Sequence, residues 1–504
     1  MARRFTALLC FCAFAFAEVA PVWPATNTSA TGPDNDGTGS ALSAIAGQGM
    51  MDSRAYQYLT ELSDDIGGRV TGTPPANAAI AWGMEKMKAM GLSNVHTEKW
   101  QLASGWQRVS ATAELVSPIQ RRLMVDSMGW VGSTPAGGAE AEVVAVNAYH
   151  LKDEVEKNSA QWNGKILILV TIGEKPTDGF GTFLQMGSFL KAAYAAHAVA
   201  VIGGQSGRLA TGMHLTHTGV LGFDTFYDVP VVSMAGEDQQ QIERFLDRGK
   251  TVRLKINVQN RVSGPVESAN VIGEIPGTEH PEQVVVVGGH LDSWDLASGA
   301  TDNGIGTCTT LAAAEAILRS GFKPKRTLRF ILFTGEEEGE DGSFNYVKQH
   351  QAEMANHVAA VILDSGQGPV VTLQLGGRND LIDTVQPFAG SLQSFGKIDV
   401  TDETEFGTDT GAFIVAGLPG INLDQDSPDY KYTHHSPVDT LDKVDPKILD
   451  QDATVMALTA FWIADRPDRL AAPWPQDKTA HMLAEKHDDV FLKAFNLWPF
   501  GDMK

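Results

Sequence analysis

Residues 284–292 read Val284-Val285-Val286-Val287-Gly288-Gly289-His290-Leu291-Asp292. The unbroken valine run shows no in-out alternation, the mark of a strand buried on both faces of a sheet. It ends in two glycines, an imidazole and a carboxylate. In open α/β sheets ligands bind beyond the carboxyl ends of strands, so the chemistry is sought there. Leu328 to Phe333, Val358 to Leu363 and Gly420 to Leu423 have the same apolar texture. A helix is predicted from Gly304 to Arg319, and another begins in Gly342 to His350. Such alternation predicts an α/β fold with a mostly parallel, helix-covered sheet.

The other predicted strand ends carry similar residues. Asp302 lies at the start of the helix that follows the valine strand, in Gly299-Ala300-Thr301-Asp302-Asn303-Gly304. The second strand runs into Thr334-Gly335-Glu336-Glu337-Glu338-Gly339, and the third into Asp364-Ser365-Gly366. After the fourth comes Tyr432-Thr433-His434-His435-Ser436-Pro437-Val438-Asp439-Thr440. Imidazole and carboxylate without thiolate suit a hydrolytic zinc or a related divalent ion. Two histidines and several carboxylates exceed what one open tetrahedral site needs. A pair of ions sharing a bridging carboxylate uses them fully, and a neighbouring carboxylate must then take the proton of the attacking water. Adjacent Glu336 and Glu337 can divide that labour, one on metal and one free. A solvated acidic loop is the plain alternative. Clustered carboxylates repel one another, however, and a cation relieves that repulsion.

Outward from this core the texture changes. Residues 1–17 read as a secretory signal: Arg3-Arg4, an apolar run from Phe5 to Ala17, and small residues at Ala15 and Ala17. That run is too short to span a bilayer, and the protein is expected to be secreted or periplasmic. Cys10 and Cys12 would leave with the signal, so only Cys308 remains and no internal disulfide is expected. Residues 18–45 read as a flexible leader, with order beginning near Ser53. Helices are predicted at Tyr56 to Ile66 and Ala76 to Met90, around the breaker-rich stretch Gly67 to Pro75, and a strand at Val95 to Leu102. Residues 46–104 form the first part of the main domain and 265–470 the second. Between them, 105–264 carry short strands (Glu140 to Val146, Lys165 to Val170, Val199 to Ile202, Val229 to Val232) and one Ala-rich helix, Ser188 to His197. This β-rich stretch lacks the clustered His/Asp/Glu chemistry and looks inserted. From Asp477 an amphipathic helix and a tail are expected within 471–504.

Composition narrows the function classes. The 504-residue chain is 43% hydrophobic and 20% charged, as in ordinary globular proteins. A net charge of −22 argues against nucleic-acid binding, which needs a basic face. No Gly-x-Ser-x-Gly elbow is present, which disfavours a serine hydrolase.

The stretches Gly289-His290-Leu291-Asp292-Ser293-Trp294-Asp295, Lys325-Arg326-Thr327-Leu328-Arg329, Glu336-Glu337 and His434-His435-Ser436 together resemble the M28 metallopeptidases. The resemblance covers most of residues 50 to 470. It implies a zinc-aminopeptidase-type fold and two zinc ions per chain. Asp302 would bridge them, with His290 and Asp364 completing one site and Glu337 and His435 the other. Glu336 would be the general base, and Asp292 would orient the His290 imidazole. His435 rather than His434 is chosen because Asp439 and Thr440 fit the pattern that follows the family's ligand. Many relatives place Tyr where His434 stands; His434 is expected to donate a hydrogen bond to the tetrahedral intermediate, with a substrate-carboxylate contact as the alternative. Asp409 falls in a loop near the active site. The inserted region resembles a protease-associated domain. The implied substrates are peptides or dipeptides with a free amino terminus. The alternatives are an aminopeptidase acting on longer peptides and a non-catalytic receptor of the same fold. Homodimerisation stays open.

Overall fold

The computed structural model describes residues 38–173, 179–203, 213–223 and 225–501. The expected signal at 1–17, with Cys10 and Cys12, lies outside them. The valine run forms the strand His280–His290 inside an eight-stranded sheet. Arg326–Phe333 and His357–Ile362 flank it in parallel, and Gly420–Gln425 extends the parallel block. Val266–Ile275 and Ser93–Leu102 add antiparallel strands at one side. Val370–Gln374 pairs antiparallel with Gly420–Gln425 at the other, and Asp399–Thr401 closes that edge. Val284 to Val287 are at most 5% exposed. Each such burial contributes about 1.5–3 kcal/mol, enough to fix which faces of this strand are covered.

Two glycines explain how the strand ends converge. A Cβ on Gly289 would come within 2.8 Å of the Gly306 backbone, at the start of the helix Ile305–Ser320. A Cβ on Gly306 would in turn collide with the carbonyl oxygen of Leu363. One strand end, one helix start and the neighbouring strand end therefore meet backbone to backbone. This contact brings His290, Asp302 and Asp364 within reach of one another.

Order starts earlier than composition suggests. Thr38–Met51 is a helix packed against Pro446–Asp465, with Ala41, Ile45 and Gly49 buried. The leader expected over 18–45 is thus helical from Thr38, and residues 18–37 lie outside the described residues. Ser, Gly and Ala read as linker by composition. Spaced four apart, Ala41, Ile45 and Gly49 fall on one helix face, and the small Ala41 and Gly49 let two helix backbones approach closely. A Cβ on Gly49 would clash with Thr454.

The second sheet, also eight-stranded, draws every strand from between Trp106 and Val262. Ala139–Asn147, Ile166–Val170, Ala200–Ile202 and Val231–Met234 are parallel neighbours within it. The Ala-rich helix spans Gly179–Ala195, starting well before the expected Ser188, because its glycines masked its first turns. Leu151–Asn158 and Gly236–Leu246 are additional helices, short and mostly polar, with few apolar residues at helical spacing (Leu151 and Val155; Ile242, Phe245 and Leu246). Beyond Asp477 the single predicted helix is two, Gln476–Glu485 and Asp488–Ala494, which bury Met482, Leu483 and Leu492 with Ile414. Among the described residues no helix is long and apolar enough to cross a membrane.

Candidate metal centre

The donors predicted from separate strand ends lie together. His290 closes its strand with the ring wholly buried. Its Nε2 lies 3.3 Å from Asp302 Oδ1 and 3.4 Å from Asp364 Oδ1. On the other side, His435 Nε2 lies 3.2 Å from Asp302 Oδ2 and 2.9 Å from Glu337 Oε2. Asp302 therefore presents one carboxylate oxygen to each imidazole. Glu336 Oε2 stands 3.8 Å from His290 Nε2 and joins neither of the closer contacts.

The chemistry of the cluster suits cations. His290 Nε2, Asp302 Oδ2 and Glu337 Oε1 are buried without a hydrogen-bond partner among the described residues. Leaving such atoms unpaired costs about 1–3 kcal/mol each, a debt that a coordinated ion removes. Imidazole and carboxylate without thiolate match zinc, and Cys308 is buried inside its helix. The electrostatics agree. Burial pushes the Glu337 carboxyl up to about 7, against the opposing pull of His435. Burial alone would depress His290, but the charges of Asp364 and Glu336 lift it well above the usual imidazole range. Burial likewise raises Asp364, and it raises Glu336 well above an ordinary glutamate. Asp302 goes the other way: burial opposes its ionisation, yet the adjacent imidazoles of His290 and His435 hold it well below the usual range.

His434 stacks on His435 with ring centroids 3.7 Å apart, and its Nε2 is 3.8 Å from Asp302 Oδ2. His434, His435 and Asp302 thus form one potential donor group, as do His290, Asp302 and Asp364. The short Glu337 contact is what distinguishes His435. The side chain of His434 is 37% exposed, that of His435 15%.

Asp292, expected to orient the His290 imidazole, lies against that ring. The His290 Nδ1 faces the Asp292 backbone carbonyl at 3.1 Å, while the carboxylate Oδ1 is 3.7 Å away. The carboxylate instead accepts the backbone N–H groups of Glu336 (3.4 Å) and Glu337 (3.3 Å) and the Thr71 hydroxyl (3.2 Å). It anchors the glutamate turn as well as the histidine strand. Asp409 is buried and pushed up to about 7 by that burial.

Two supporting groups escaped sequence reasoning. Asp439, noted only as part of a pattern, accepts the N–H (2.6 Å) and hydroxyl (2.8 Å) of Thr301. Arg69, wholly buried, donates to the carbonyls of Leu291 (2.5 Å), Gly67 (3.2 Å), Ser298 (2.8 Å) and Gly299 (2.9 Å). A lone cation among turn-forming residues was its only sequence signal.

A family model described as peptidase family M28 matches residues 270–460. Carboxypeptidase Q of Mus musculus is 30% identical over 432 residues, covering 85% of this chain and 90% of that protein. Among solved structures, a peptidase M28 precursor from Shewanella amazonensis superposes with a TM-score of 0.76 at 29% identity, covering 87% of this chain and 99% of that one. BSAP, a zinc aminopeptidase from Bacillus subtilis, shares the fold with a TM-score of 0.63 at 21% identity, covering 84% and 97%.

Proposed function

This chain belongs to peptidase family M28, and on that premise we propose a di-zinc exopeptidase that hydrolyses the bond next to a free amino terminus, in dipeptides. The observation that carries this reading is the shared carboxylate: Asp302 Oδ1 faces His290 at 3.3 Å and Oδ2 faces His435 at 3.2 Å. Asp302 would bridge the two ions, with His290 and Asp364 on one and His435 and Glu337 on the other. Bound zinc supplies Lewis acidity toward the scissile carbonyl and acidifies the attacking water.

The remaining roles belong to the chain. Glu336, adjacent to the donors yet outside the closest contacts, takes the proton of the attacking water and returns it to the leaving amine. His434, the most exposed of the site imidazoles, donates a hydrogen bond to the oxygen of the tetrahedral intermediate. Asp292 orients both the His290 strand end and the Glu336–Glu337 turn. Residues 105–264 are read as an inserted protease-associated-like domain that covers the cleft. The basic and apolar pattern at 1–17 supports a secreted or periplasmic location.

The relative named carboxypeptidase Q supports a peptidase, and an aminopeptidase acting on longer peptides is the second reading. A panel of dipeptides, tripeptides and their N-acetyl and C-amide forms separates them, with Glu336→Gln as control. Dipeptide hydrolysis that chelation abolishes and zinc restores is the expected result. Cleavage of N-acetylated substrates at equal rates would overturn the proposal. No hydrolysis by a zinc-loaded chain would instead favour a receptor of this fold.

A further inference from the structure

We infer that Thr216–Thr218, a segment belonging to the second sheet's region, completes the half-site around His435 and sets the affinity of the zinc held there. The inference rests on the two-zinc reading above. The segment lies between the strands Ala200–Ile202 and Val231–Met234. Its three residues are at most 2% exposed.

The contacts are reciprocal. The Thr218 N–H donates to the His435 carbonyl at 2.9 Å, and the His435 ring Nδ1 faces the Thr218 carbonyl at 3.2 Å. One residue earlier, His217 Nδ1 faces the His434 carbonyl at 2.8 Å. A carbonyl can only accept, so both ring nitrogens must carry hydrogen. For His435 this fixes the Nδ1–H tautomer and leaves the Nε2 lone pair aimed at Asp302 and Glu337, as a metal-binding imidazole requires. The backbone of His435 also needs support: its φ of 56° is in the left-handed region, where a non-glycine residue is strained. The Thr218 N–H engages that strained peptide directly.

The segment is itself clamped. The Thr216 hydroxyl donates to Asp126 at 2.5 Å, and the Thr218 hydroxyl donates to the Ser127 carbonyl at 3.1 Å. Arg108 Nη2 donates to the Thr218 hydroxyl at 3.0 Å, while its Nε donates to Asp295 at 3.0 Å. Arg108 thus ties the second sheet, Thr218 and the loop after His290 into one unit. The two half-sites differ in construction. The Nδ1 of His290 finds its acceptor, the Asp292 carbonyl, in its own loop. The Nδ1 of His435 finds its acceptor across the interface with the other sheet. Thr218 and His217 are therefore positioning residues for one zinc and not for the other.

Zinc titration against a chromophoric chelator tests this, with unfolding of the metal-free proteins followed alongside. Wild type should take up two equivalents. Thr218→Val, which removes the clamped hydroxyl at constant shape, should weaken one equivalent by about 10–100-fold and leave the other unchanged. Thr218→Ser should restore it. His217→Phe should act like Thr218→Val, and His217→Asn, which keeps a donor near the Nδ1 position, should rescue. Wild-type affinity at both equivalents in Thr218→Val and His217→Phe would overturn the inference, as would equal weakening of both. Uptake of a single equivalent by wild type would overturn the two-zinc reading itself.

Discussion

Asp439 holds Asp302 in place through the backbone: its Oδ2 accepts the Asp302 N–H at 3.3 Å while its Oδ1 accepts both donors of Thr301. The carboxylate that faces both imidazoles therefore sits on a turn gripped from the His435 loop. Burial has pushed Asp439 up to about 7, against the hydrogen bonds from Thr301. Asp439→Ala would leave three donors unpaired, at about 1–3 kcal/mol for a buried group left without a partner. With Asp302 shared between both half-sites, as proposed, both zinc equivalents should weaken, by about 10–100-fold. Chelator titration checks this, and weakening of only one equivalent would contradict the shared role of Asp302.

Arg69 is the second prediction. Its guanidinium is fully buried and, among the described residues, hydrogen-bonds only to carbonyls of residues 67, 291, 298 and 299. Burial lowers its proton affinity, and the Asp439 charge opposes that most strongly. Arg69→Met would strip these carbonyls of their donor at a cost of at least about 3 kcal/mol, several unsatisfied groups being involved. Arg69→Lys should recover only part, since an ammonium cannot reproduce the planar fork. Urea unfolding of the metal-free protein reads both. A loss below about 1 kcal/mol for Arg69→Met would show that water replaces the guanidinium.

The contrast between these residues and the donors explains what the sequence makes legible. His290, Asp364 and the Glu336–Glu337 pair follow apolar runs whose periodicity is local, so strand ends and the residues after them can be read directly. Arg69 and Thr218 act through backbone carbonyls of distant loops, and no side-chain pattern records a carbonyl. The contact between Thr218 and His435 spans 217 positions. The helix Thr38–Met51 is hidden in the sequence for a related reason: its small residues matter only because Pro446–Asp465 lies against them.

The pH dependence of stability has a distinct contributor far from the donors. Burial pushes His357 down to about 4. Its Nδ1 donates to the Glu353 carbonyl (3.1 Å) and its Nε2 accepts from the Tyr346 hydroxyl (2.7 Å), an arrangement that fits the neutral ring. An unfolded histidine titrates near 6.5. Above that pH neither state binds the proton, so His357 adds no slope. Between about 6.5 and 4 the unfolded chain is protonated and the folded one is not, and stability falls by about 3 kcal/mol in total. Below about 4 both are protonated and the slope ends. The difference in unfolding free energy between wild type and His357→Asn, measured with chelator present, should trace this step. A difference that stays constant from pH 7 to 4 would refute it.

Glu336 and Glu337 are neighbours in sequence, and the geometry separates their tasks. Glu337 Oε2 is 2.9 Å from His435 Nε2, whereas the nearest imidazole nitrogen to Glu336 Oε2 is 3.8 Å away. A free base should lose chemistry without losing metal; a donor should lose metal. Glu336→Gln should keep both zinc equivalents and lower kcat by about 10²–10⁴-fold with little change in KM, the signature of proton transfer removed from the transition state. Glu337→Gln should weaken the zinc on the His435 side, with activity partly restored at high zinc concentration. The two variants differ from wild type by the same charge and nearly the same volume, so their divergence reports position alone. If Glu336→Gln released a zinc while Glu337→Gln retained both, the assignments would have to be exchanged.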